Sequence, residues 1–140
     1  MCNRPVIEVV AAIIRAGERL LICQRPETKS EGSHWEFPGG KIEPGETGPE
    51  ALVRECREEL AVTLEVGARY TGVETERPGK TLRINFYWAD LGGQSLTLLE
   101  HQAARWVTLD ALDEYAFCPA DRVVADRLRR EGFPQAKGDE

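Results

Sequence analysis

Residues 39–62 constrain this chain more than any other stretch. They open as Gly39-Gly40-Lys41-Ile42-Glu43-Pro44-Gly45-Glu46 and centre on Arg54-Glu55-Cys56-Arg57-Glu58-Glu59. The pattern reads as a glycine-bearing loop feeding a short helix. Thr47 stands three residues before Glu50, the reciprocal capping pattern of a helix start. Pro49 falls in the first turn, where a missing N–H costs nothing. Ala51, Leu52, Cys56 and Leu60 form an apolar stripe that can dock on a core. Beside it lie Glu55, Glu58 and Glu59, which at about 100° per residue share roughly one third of the helix circumference.

That acidic stripe needs a reason. Two like charges roughly 5 Å apart repel by about 3 kcal/mol at an effective dielectric near 20. Arg54 and Arg57 offset some of this. A solvated, salt-bridged face is the plain reading. The alternative is a site for a hard divalent cation, which wants oxygen ligands and keeps waters and substrate phosphates in its shell.

The loop decides between them. Gly40, five residues, Glu46, seven residues, then 54–62 resembles the Nudix box, G-x5-E-x7-R-E-U-x-E-E-x-G-U with U apolar. Every charged position matches. Cys56 fills an apolar slot, as a small buried thiol can. Ala61 stands where the box has a helix-ending glycine, so the local backbone there is in question. Outside the box, Gln24-Arg25-Pro26, Trp35-Glu36-Phe37 and Pro119-Ala120-Asp121 are similar to the MutT and CTP-pyrophosphohydrolase branch of the family.

The resemblance implies an α/β fold, the Nudix α/β/α sandwich with a mixed β-sheet between helices. It implies a Mg²⁺-dependent nucleoside triphosphate pyrophosphohydrolase, with Mn²⁺ as a substitute, acting on oxidised guanine (8-oxo-dGTP) or cytosine nucleotides. Metal falls to Glu55, Glu58, Glu59 and the Gly39 carbonyl; Arg54 and Glu46 hold the glutamates in place. Glu100, five residues before Arg105-Trp106, matches a catalytic acid of MutT-like members, and Glu55 or Glu59 are the other candidates for general base. Arg25, Phe37, Lys41, Phe86 and Asp121 are placed at the substrate. Four of them also have a plainer role: core packing for Phe37 and Phe86, an exposed cation for Lys41, a helix-dipole partner for Asp121. Alternatives are hydrolysis of another diphosphate, such as ADP-ribose or a dinucleoside polyphosphate, and a nucleotide-binding module without catalysis.

The remaining sequence fits one domain, 1–132, with a polar tail at 133–140 expected to fray. Strands are expected at 6–14, buried on both faces, and at 19–24, paired as a hairpin about Gly17. Polar residues 27–33 make a loop with room to move. Strands follow at 63–76, broken at Gly67, and at 81–91, with Ile84, Phe86 and Trp88 on one side and Asn85, Tyr87 and Ala89 on the other. A short helical turn at 109–115 precedes a helix at 120–130, and His101 is expected at the surface. Net charge is −6, which disfavours a nucleic-acid polymer or an anionic membrane as partner. Cysteines 2, 23, 56 and 118 lack metal or redox spacing, so free thiols in a reducing cytoplasm are expected. The sequence leaves monomer and homodimer both open.

Overall fold

The alternation of side chains along one strand organises the molecule. In the computed structural model, which describes residues 4–29 and 31–134, strand β1 (Val6–Ala16) runs through the centre of the sheet. Its Val10, Ala12 and Ile14 face one core, shared with Ala51, Leu52, Cys56 and Leu60 of helix α1 (Gly48–Leu60). Its Ala11 and Ile13 face the other, shared with Val124, Ala125 and Leu128 of helix α2 (Pro119–Glu131). Period two in the strand and an apolar stripe on each helix therefore give helix, sheet, helix. The expected α/β sandwich with a mixed sheet is what forms.

β2 (Arg19–Gln24) follows a turn in which Gly17 has φ +61°. The hairpin is shorter than expected. Only Arg15–Leu20 and Ala16–Arg19 pair. Beyond them β1 takes the antiparallel β4 (Gly39–Lys41) on one edge and the parallel β6 (Lys80–Asp90) on the other. β2 instead takes β3 (Trp35–Glu36) and β7 (Ala103–Thr108). β5 (Glu65–Arg77) completes the sheet against β6, with register shifts between Val66 and Thr71 that flank the expected break at Gly67. Parting of β1 from β2 is what opens room for a site. As expected, Ile84 and Phe86 of β6 join one core and Tyr87 and Ala89 the other.

The loop after β2 is fastened at its ends. Arg25 N–H donates to His34 O, Ser33 N–H donates to Arg25 O, and Glu31 pairs with Arg77 at 2.9 Å. A 3-10 turn, Leu109–Glu114, leads toward α2. In the expected tail, Phe133 packs against Trp88, and the Arg15 guanidinium lies 4.0 Å over its ring. Residues 135–140 and Cys2 lie outside the described residues. Cys23, Cys56 and Cys118 are free thiols, all buried.

Helix α1 begins as expected. Thr47 Oγ1 accepts from Glu50 N–H and Glu50 accepts from Thr47 N–H. It ends at Ala61, whose φ of 58° and ψ of 40° are left-handed, with its N–H donating to Arg57 O at 3.1 Å. A glycine takes that conformation without the Cβ clash that alanine carries, worth about 1 kcal/mol. Ala61→Gly is therefore expected to raise the Tm by about 2–4 °C in a thermal melt. An unchanged or lower Tm would contradict a strained helix end.

Candidate active site

Two glycines and one arginine bring the loop onto the helix. A Cβ on Gly39 would lie 2.0 Å from Val10 O, and one on Gly40 would lie 2.3 Å from the Glu55 carboxyl carbon. At Gly39 the obstacle is fixed backbone, so no side chain fits there; at Gly40 a side chain fits only if the Glu55 carboxylate turns away. Arg54 then clamps the two together. Its Nε and Nη2 donate to the two oxygens of Glu46 at 2.7 and 3.0 Å, and Nη2 also reaches Lys41 O. Nη1 donates to Glu55 at 3.2 Å and to Glu58 at 3.4 Å. The guanidinium holds Glu46 below the usual carboxylate range, and these acids hold Arg54 above its own.

Glu55 and Glu59 project from α1 into a cavity of about 790 Å³. Burial raises the pKa of both. For Glu59 burial comes first, then the charges of Glu55, Glu36 and Glu100, and its carboxyl is pushed up to about 9. One oxygen of Glu59, Oε1, is buried without a hydrogen-bond partner. A buried carboxyl oxygen with no donor beside it is costly. Glu58, by contrast, is half exposed and does not line the cavity.

The same cavity gathers Glu100, Gly39, Gly40 and Lys41 with the two acids. It also takes in Arg25, Phe37 and Asp121. Asp121 is buried in the first turn of α2, and burial raises its pKa well above the ordinary value, with Glu36 adding to the shift. Its Oδ2 accepts from Phe37 N–H at 3.2 Å, tying α2 to the end of β3. Phe37 stacks on Phe117 and meets Phe86 edge-on. Phe86 itself is completely buried beneath Phe37 and lines no part of the cavity, so its place is in the core. Arg54 and Glu46 stand behind the wall.

Glu36 and His101 are among the cavity residues to which sequence reasoning gave no role. His101, expected at the surface, is buried, and its Nε2–H donates to Glu36 at 2.9 Å. Glu36 also accepts from Arg25 at 2.9 Å. The available signal was Glu36 itself, a charged residue between the aromatics Trp35 and Phe37.

A NUDIX domain model matches residues 5–128. The chain belongs to the Nudix family. A CTP pyrophosphohydrolase of Escherichia coli is 38% identical over 116 residues, covering 83% of this chain and 86% of the relative. An 8-oxo-dGTP diphosphatase of Haemophilus influenzae is 33% identical over 130 residues, covering 92% and 96%. The crystal structure of the MutT protein from Methanosarcina mazei superposes with a TM-score of 0.81 at 28% identity, covering 96% of this chain and all of that one.

Nudix hydrolases generally need a divalent metal. Among the described residues, no three acid, imidazole or thiol side chains are gathered to hold one unaided. The site nevertheless suits a cation that takes one or two carboxylates and completes its shell with water and phosphate. The partnerless Glu59 Oε1 beside Glu55 is the observation that fits. Among the described residues, no helix is long and apolar enough to cross a membrane.

If a cation binds beside Glu59, the raised carboxyl makes that binding pH-dependent. Between its ordinary 4.5 and about 9, the folded chain keeps a proton that the unfolded chain has released. Stability of the metal-free protein therefore falls as pH rises through that window. A cation that displaces the proton binds more strongly toward the upper end. The Tm increase produced by Mg²⁺ is expected to be larger at pH 8 than at pH 6, and to shrink in Glu59→Gln. Equal increases at both pH values would contradict this placement.

Proposed function

We propose that this Nudix chain is a Mg²⁺-dependent, MutT-like nucleoside triphosphate pyrophosphohydrolase, with Mn²⁺ as a substitute. Water and a nucleoside triphosphate give a nucleoside monophosphate and pyrophosphate, so the bond broken is the anhydride between the α- and β-phosphates. The reading is carried by Glu55 and Glu59 lining one cavity with the Gly39-Gly40 backbone, with the Glu59 carboxyl pushed up by burial and its Oε1 short of a partner. It is supported by relatives named for CTP and for 8-oxo-dGTP.

Glu55, Glu59 and the Gly39 carbonyl would hold the cation, and Glu58 would join them only by turning from its present contact with Arg54. When bound, the metal lowers the pKa of water and offsets phosphate charge. Arg54, anchored by Glu46, keeps Glu55 aimed into the cavity. Glu55, Glu59 or Glu100 takes the proton from the attacking water, all three lining the same space. Lys41 meets a phosphate from the loop side. Phe37, Arg25 and Asp121 form the far end, which receives the base. Cytosine and 8-oxoguanine nucleotides are the substrates proposed. The free thiols suit a cytoplasmic protein.

Glu59→Gln keeps the size of the side chain and removes its charge. It is expected to lower kcat by about 100-fold or more while retaining the fold. Pyrophosphate release measured across canonical and oxidised triphosphates, with and without chelator, checks both the chemistry and the base. Near-normal turnover in Glu59→Gln, or full activity in chelator, would contradict the proposal.

A further inference from the structure

Three strand ends meet at a partly buried chain of polar side chains in the cavity wall. Arg25 follows β2, Glu36 closes β3, and His101 precedes β7. One Glu36 oxygen accepts from Arg25 Nη1 and the other accepts from His101 Nε2, each at 2.9 Å. All three residues line the cavity. Both Glu59 and Asp121 feel the charge of Glu36, so it stands between the carboxylates of α1 and the first turn of α2.

The histidine is the unexpected member. Its side chain is 4% exposed, and its Nδ1 is buried with no partner. An apolar residue of similar size would fill that space without leaving a polar atom unmatched. A native structure that keeps such an atom calls for an explanation. Its other nitrogen supplies one. A carboxylate gripped from two sides by groups on separate strands has few orientations left, and a fixed acceptor in a cavity wall binds a ligand without first being ordered.

We propose that His101 is a positioning residue that fixes the Glu36 carboxylate, and through it Arg25, where the cavity receives the nucleoside. This rests on the nucleotide reading above. His101 acts through Glu36 and does not touch the reacting phosphates, so its loss weakens nucleotide binding and leaves the chemical step alone. A side chain that restores an N–H donor to Glu36 restores binding.

The test compares His101→Leu, His101→Gln, Glu36→Gln and the double variant Glu36→Gln/His101→Leu. Steady-state pyrophosphate release gives kcat and KM, and calorimetry gives Kd for CMP and 8-oxo-dGMP. His101→Leu is expected to raise KM and Kd about tenfold, with kcat within about threefold of wild type and Tm little changed. His101→Gln is expected to stay within about threefold of wild type in all of them. In the Glu36→Gln background, adding His101→Leu is expected to change Kd by less than about twofold, because the two residues act as one unit. Unchanged KM and Kd in a folded His101→Leu would overturn the proposal. So would a loss confined to kcat, or effects of the two substitutions that multiply. If His101→Leu does not fold, a weakened Kd in folded His101→Gln overturns it and a wild-type Kd supports it. Wild-type protein that binds neither nucleotide overturns this inference together with the reading beneath it. Wild-type turnover with unaltered variants overturns the inference alone.

Discussion

Carboxylates crowded on one short helix repel, and much of this molecule holds them against that repulsion. Glu55 lies against the bare backbone of Gly40, where any side chain would collide with it. Burial, with the charges of Glu55, Glu36 and Glu100 added, pushes the Glu59 carboxyl up to about 9. Neither arrangement stabilises the fold unaided. Both become reasonable once a cation supplies the missing charge, because buried ions are tolerable when paired and costly when alone. Arg54 shows the same economy on a smaller scale. One guanidinium spans Glu46, Glu55, Glu58 and a loop carbonyl, so that the loop and helix move as one piece.

The sheet makes room for this. β1 is buried on alternating faces by α1 and α2, and it is the rigid element from which the site is measured. Its pairing with β2 lasts for only two residue pairs. After that β4 lies along β1, while β3 and β7 lie along β2. The cavity opens where these pairings diverge. Glu55 and Glu59 of α1 and Asp121 of α2 all line it, so both helices that pack the sheet also reach the cavity.

Much of this was legible in the residues. Period-two alternation in β6, the capping box at Thr47 and the stripe from Ala51 to Leu60 are local rules, and local rules read well from one chain. The left-handed Ala61 was legible as a departure from pattern. What escaped depends on contacts distant in sequence. The separation of 65 positions between Glu36 and His101 hid their pairing, and nothing beside His101 marks it as buried. Core was the plainer reading of Phe86, yet the cavity stayed open, because alternation fixes a face but not the depth of a side chain within it. The β1–β2 hairpin was legible, but that its pairing lasts only two residue pairs was not, for a related reason. Strand propensity identifies strands, whereas their partners are settled by competition across the whole sheet.

The most direct measurement is anomalous scattering from a crystal soaked in Mn²⁺ with a nucleoside monophosphate. A peak within bonding distance of Glu55, Glu59 and the Gly39 carbonyl is the predicted result, with the base lying toward Phe37 and Asp121. A difference map with no peak there, and both acids turned to water or to Arg54, would contradict the claim that this helix is built around a cation.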